Sequence, residues 1–250
     1  MKIVDVKGLV LSETNYSDSS KILNVLTEEY GILGILSKGC RNIKSKLRSS
    51  SRKLIYGTFH FYYKENGLSV LISTDIINGY FKTMMDLEKI VYSSYILDLT
   101  KQIVKQSDIS TKGILALVTQ VLDKIELGLD PSIMANILEL KFLNYLGVSP
   151  ILDSCVNCGR TSNIVSVSAS SGGLLCSSCS NSVDSIHNLK LIKLLRLFYY
   201  VDVEKITKID VNETTKKELN HFLDEYYDRY TGIYLKGKYA MKNIAKFVEK

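Results

Sequence analysis

The sequence predicts an α+β chain of several domains: a small N-terminal β-barrel, then an all-α part that carries an inserted four-cysteine module. Three observations support this. Up to about residue 80, apolar residues come in short runs rich in Ile, Val and Leu, separated by glycine or polar breaks. From Met85 onward they recur at helical spacing. Residues 153–183 are instead rich in Ser, Asn and Gly and hold four of the five cysteines.

The first three strands are expected at residues 3–11, 21–27 and 32–38. A fourth, at 54–63, contains the alternation Phe59-His60-Phe61, and a fifth, at 68–75, follows the turn signal Glu65-Asn66-Gly67. Five short strands suit a closed or partly closed barrel. Helices follow at 85–104 and 111–127, the second ended by Gly128. A third spans 131–146, with Asp130 as cap, Pro131 in the first turn and Gly147 as terminator. The run 189–200 is apolar almost all round, which predicts a buried helix. Leu219, Phe222, Leu223, Tyr226, Tyr227 and Tyr230 form an amphipathic stripe of a last helix. The expected domains are 1–80 for the barrel, 81–152 with 185–250 for the helical part, and 153–184 for the cysteine module.

Composition narrows the function. The chain of 250 residues is 46% hydrophobic and 23% charged, which excludes wholesale disorder. Its net charge of +6 is uneven: residues 1–81 carry +4, residues 82–184 carry −2 and residues 185–250 carry +4. The densest stretch is KGCRNIKSKLRSSSRK, residues 38–53, between the third and fourth strands. It holds Lys38, Arg41, Lys44, Lys46, Arg48, Arg52 and Lys53 and no acidic residue. Like charges this close repel one another unless an anion neutralises them. Loops and strand faces of OB barrels often bind single-stranded nucleic acid, and Ser45, Ser49, Ser50 and Ser51 add hydroxyls for phosphate oxygens. Nucleic acid is therefore the expected partner, with those seven cations as its contacts. Cys40 reads as a small side chain at a strand end. Tyr56, Tyr62 and Tyr63 either stack on bases or pack across strands.

Cys155 and Cys158 form one CxxC pair and Cys176 and Cys179 a second, 17 residues apart. Two such pairs supply the four-sulfur shell that zinc prefers, whereas disulfides are unexpected in a cytosolic chain. A closed four-thiolate site leaves no position for water or substrate, so the expected Zn2+ is structural. His60, His187 and His221 show no ligand spacing. Phosphate-loop, GxGxxG, HExxH and GxSxG motifs are missing, so no enzyme activity is expected. With no leader and no run of 18 apolar residues, a cytoplasmic protein is expected, and binding to DNA would make it nucleoid-associated.

The order of motifs resembles the RecO family of bacterial recombination mediators. The residues that carry the likeness are Gly8-Leu9-Val10-Leu11, Tyr16, Leu26-Thr27-Glu28-Glu29-Tyr30-Gly31, Lys38-Gly39, Arg41 and Lys44-Ser45. Further on come Asp86-Leu87-Glu88-Lys89, Tyr92-Ser93-Ser94-Tyr95, residues 143–150, the Cys155 pair and Gly172-Gly173-Leu174-Leu175-Cys176. The likeness covers residues 1–180 in order and departs at Cys40, where a small or apolar residue is expected. It implies an N-terminal OB-fold, a helical domain and an inserted zinc module. It also implies binding of single- and double-stranded DNA, strand annealing, and partnership with RecR in loading RecA onto DNA coated by single-strand-binding protein. The acidic C-terminal tail of that coating protein would dock on the helical domain. A different class, an adaptor whose basic loop docks acidic protein tails, fits the same residues.

Overall fold

The computed structural model describes residues 2–106, 111–181 and 184–233. Alternation of β-branched and polar residues produces five strands: β1 (Lys2–Tyr16), β2 (Ser20–Thr27), β3 (Ile32–Ser37), β4 (Tyr56–Tyr63) and β5 (Ser69–Asn78). They close into a barrel of order β1-β2-β3-β5-β4. Closure depends on the length of β1. Its first half, from Lys2 to Leu9, pairs antiparallel with β4, and its second, from Gly8 to Tyr16, pairs antiparallel with β2. A register shift between Val10 and Ser12 turns the strand from one partner to the other. The parallel contact of β3 with β5, at Ile35–Ser69 and Leu36–Val70, seals the ring. Inside lie Val10, Leu23, Val25, Ile35, Phe59 and Phe61, all with 0% exposure. This is the five-stranded OB-like barrel expected from the sequence.

Three helices follow: α1 (Phe81–Met84), α2 (Leu87–Gln106) and α3 (Ile114–Glu126). Both α2 and α3 pack against β1, so residues 2–128 form one compact unit. The short α1 was not visible as periodicity. It is set by the Glu126 carboxylate, which accepts from the Lys82 and Thr83 backbone N–H groups at 3.0 and 2.7 Å and from the Thr83 hydroxyl at 2.6 Å. Burial of Glu126 favours the neutral acid, but these Thr83 and Lys82 donors outweigh it and hold the carboxyl below its ordinary range.

Residues 129–233 form the second unit. It contains α4 (Pro131–Tyr145), β6 (Ile164–Ser168), β7 (Gly173–Cys176), α5 (Leu189–Tyr200) and α6 (Glu213–Tyr230). Asp130 caps α4 as expected, accepting from Ser132 and Ile133 N–H at 2.8 and 3.2 Å, with Pro131 in the first turn. The α6 stripe buries Leu219, Phe222, Leu223, Tyr226 and Tyr227. The expectation for α5 is corrected. It buries only Leu191, Ile192, Leu195 and Phe198, and leaves Leu189, Leu197 and Tyr200 exposed. Lys190 and Lys193, three residues apart and exposed, mark its wet side, a signal that the long apolar run obscured, while Arg196 is half-buried and donates Nε–H to Leu152 O at 2.7 Å. The expected helical part continues to residue 250, and 234–250 lie outside the described residues.

Candidate nucleic-acid interface and metal centre

Residues 38–55 cross from β3 to β4 as consecutive turns, with N–H groups of Asn42, Ser45 and Arg48 bonded to the carbonyls of Gly39, Asn42 and Ser45. The loop is fastened at both ends. At its start Arg41 N–H donates to Ser19 O at 2.9 Å, Gly39 N–H donates to Ser20 Oγ at 3.2 Å, and Cys40 is buried. At its end Leu54 N–H donates to Val10 O and Val10 N–H donates to Ile55 O. Between them Leu47 packs on the barrel core. Two of the serines expected to face phosphate serve the loop instead. Ser51 is buried against the Ser37 hydroxyl at 2.7 Å, and buried Ser50 donates to Leu47 O. The backbone is thus held in place while its cations point outward.

Lys38, Arg41, Lys44, Lys46, Arg48 and Lys53 are exposed. Arg41 donates to Ser17 O at 3.3 Å and Lys53 to Ser94 Oγ at 3.1 Å, both at the surface. Arg52 differs. It is half-buried, donates to Gly79 O at 3.3 Å, contacts the Met84 sulfur, and lies 4.9 Å from the centre of the Phe81 ring. Its partners lie far along the chain, so no local pattern could single it out.

The strand aromatics divide as well. Tyr63 packs on the core and tilts against Tyr30 at 5.2 Å, Tyr56 is half-buried, and Tyr62 is exposed. Beside Tyr62 on the outer face, His60 Nδ1 meets Asp5 Oδ1 at 2.7 Å and Nε2 meets Asp75 Oδ2 at 3.0 Å. The hydrogen bonds to Asp5 and Asp75 raise the imidazole pKa above its ordinary value. The bonds give His60 a structural role across three strands, and its partners come from β1 and β5, where local spacing does not reveal them.

In the second unit, the thiols of Cys155, Cys158, Cys176 and Cys179 lie within 4.8 Å of one another. Cys158 Sγ and Cys176 Sγ are 3.6 Å apart, close to the edge of about 3.8 Å of a four-thiolate tetrahedron built on bonds of about 2.3 Å. The cluster is suited to a metal ion. The segment between the pairs folds as the β6–β7 ribbon, with Val167, Leu174 and Leu175 fully buried. Gly173 has φ +153°, and a Cβ there would sit 2.2 Å from Ile151 O, so only glycine lets the ribbon meet that strand-like bridge. Burial pushes the Cys155 thiol up, but backbone N–H groups of Cys176, Cys158 and Asn157 outweigh it and bring the pKa to about 6. A thiolate stabilised before metal arrives suits a ligand role.

Comparison with known proteins agrees with both halves. The family model of the recombination protein O N terminus matches residues 1–80, and that of the recombination protein O C terminus matches residues 84–238. A DNA repair protein RecO of Listeria monocytogenes is 31% identical over 243 residues, covering 96% of this chain and 94% of its own length. Another, of Bacillus pumilus, is 31% identical over 244 residues, covering 97% and 94%. The relative of the same name in Halalkalibacterium halodurans is 31% identical over 234 residues, covering 93% and 91%. With the two family models matched in order along residues 1–80 and 84–238 and relatives of that name covered nearly end to end, the chain belongs to the RecO family of DNA repair and recombination proteins.

Proposed function

We propose that the protein is a non-catalytic recombination mediator: it binds single- and double-stranded DNA, anneals complementary strands and, with RecR, helps load RecA onto DNA coated by single-strand-binding protein. The observation that carries this is the fastened loop with six exposed cations between β3 and β4 of the closed barrel. Cations held outward on a fixed backbone neutralise phosphate, and neutralising two strands removes the repulsion that opposes their pairing. The Asp5–His60–Asp75 cluster makes the outer face of β1, β4 and β5 locally unfavourable for phosphate, which leaves the 38–53 side for DNA.

Zn2+ is the metal proposed for the cysteine cluster, with all four thiolates as ligands and a structural role. When bound it contributes to folding the 153–184 module and offers no open position for chemistry. For the acidic tail of single-strand-binding protein, a cavity of about 290 Å³ in the second unit is the proposed dock. Leu194, Leu197 and Val211 supply apolar walls, and Lys190 and Lys193 supply two cations against the single carboxylate of Asp210. The proposed site of action is the cytoplasm, at the nucleoid. Annealing of complementary oligonucleotides, with and without single-strand-binding protein, tests the function. Acceleration in both conditions is expected, and no acceleration in either would remove it. An adaptor of acidic protein tails would instead bind the coating protein and leave naked strands unaffected.

A further inference from the structure

We infer that Phe81 is a base-stacking platform for single-stranded DNA at the edge of the cationic loop; this rests on the DNA-binding reading above. Phe81 is 61% exposed, although burying a phenyl side chain stabilises a fold, so its position forgoes stability. It is nonetheless fixed. It opens α1 directly after Tyr80, which is fully buried, and α1 is pinned by the three hydrogen bonds to Glu126. Arg52 covers one side of the ring at 4.9 Å and is itself tied to Gly79 O. Gly79 makes room for the pair: a Cβ there would lie 2.8 Å from Phe81 Cε2 and 3.2 Å from Arg52 Nη2.

The result is a rigid aromatic plane backed by a guanidinium and open to solvent, at the end of the run Arg48, Arg52, Lys53 and beside exposed Lys82. A nucleobase has what this surface lacks: a π face for the ring and, one bond-chain away, a phosphate for the cations. Stacking of that kind accepts any base. Along single-stranded DNA every residue carries both a planar base and a phosphate, so the ring and the neighbouring cations are engaged together at any register; an acidic protein segment would engage the ring only where an aromatic side chain happens to fall.

The chain contains no Trp, so Phe81→Trp installs a single tryptophan at the site. Titration with an oligothymidylate is expected to quench its emission in step with binding measured by anisotropy. An abasic oligomer of equal length is expected to bind without quenching. Phe81→Leu should bind the base-bearing strand about tenfold more weakly, with the salt slope and the affinity for the abasic strand unchanged. Binding without quenching, equal quenching by both oligomers, or an equal loss on both in Phe81→Leu would overturn the stacking role, the last marking a loop support or a protein contact. If the wild-type protein binds no oligonucleotide at all, the DNA reading itself falls, which is distinguishable from binding without stacking.

Discussion

At His60, two carboxylates meet both ring nitrogens, so the three side chains tie β1, β4 and β5 together most strongly when the imidazole carries both protons. Because the folded pKa is raised above the ordinary histidine value, the stabilisation is complete below about pH 6.5 and is lost as pH rises through the higher folded value. Thermal unfolding across pH 6–9 should therefore show the advantage of wild type over His60→Asn shrinking with rising pH; a constant difference would contradict the bridge. At the cysteines, Cys155→Ser removes a buried thiol of the four-cysteine cluster, one whose thiolate is stabilised. Metal content should fall and the second unit should unfold at lower temperature, whereas full metal retention would contradict the assignment. These residues also show what a sequence reveals one position at a time. The four cysteines were legible because both pairs are local turns at fixed spacing. Arg52 was not, because the groups that occupy it lie 27 and 32 residues away, and Ser50 and Ser51 looked like phosphate donors until the turns folded them inward.

For the elements, period was the reliable guide. The five strands and the four long helices α2, α3, α4 and α6 follow from alternation or helical spacing, and the α4 start follows from Asp130 before Pro131. Asp130 also holds Lys216 Nζ at 2.8 Å. Asp130→Ala should destabilise the protein by about 1–2 kcal/mol in urea unfolding, and a change within error would deny the cap its role. The elements missed are those shaped by contacts rather than pattern. The four-residue α1 depends on a distant carboxylate; the β6–β7 ribbon, by contrast, turns at Gly172-Gly173 as the glycine pair before the second cysteines indicates, and one close backbone approach holds it. Gly173→Ala should accordingly disturb the ribbon and lower metal retention, as read by metal analysis after dialysis. The high apolar content of α5 predicts burial all round, whereas its cations at three-residue spacing already describe the amphipathic helix that the structure shows.

Across the whole molecule, the excess positive charge of the first 81 residues gathers on one loop, and the barrel supplies the rigid frame that keeps it outward. Among the described residues no helix is long and apolar enough to cross a membrane. Composition indicated an anionic partner, strand count a barrel, and cysteine spacing a metal module. Which cations stand free could be learned only from the fold. The central claim, that the 38–53 loop grips DNA phosphates, is tested most directly by the affinity for single-stranded DNA measured across a salt series. The wild-type protein is compared with a variant carrying Arg41→Ala, Lys44→Ala, Lys46→Ala and Arg48→Ala. Six exposed cations set an upper slope of about −4 in log affinity against log salt, and loss of four should flatten it to about −1 while weakening binding at low salt. An unchanged slope and affinity in the variant would contradict the claim.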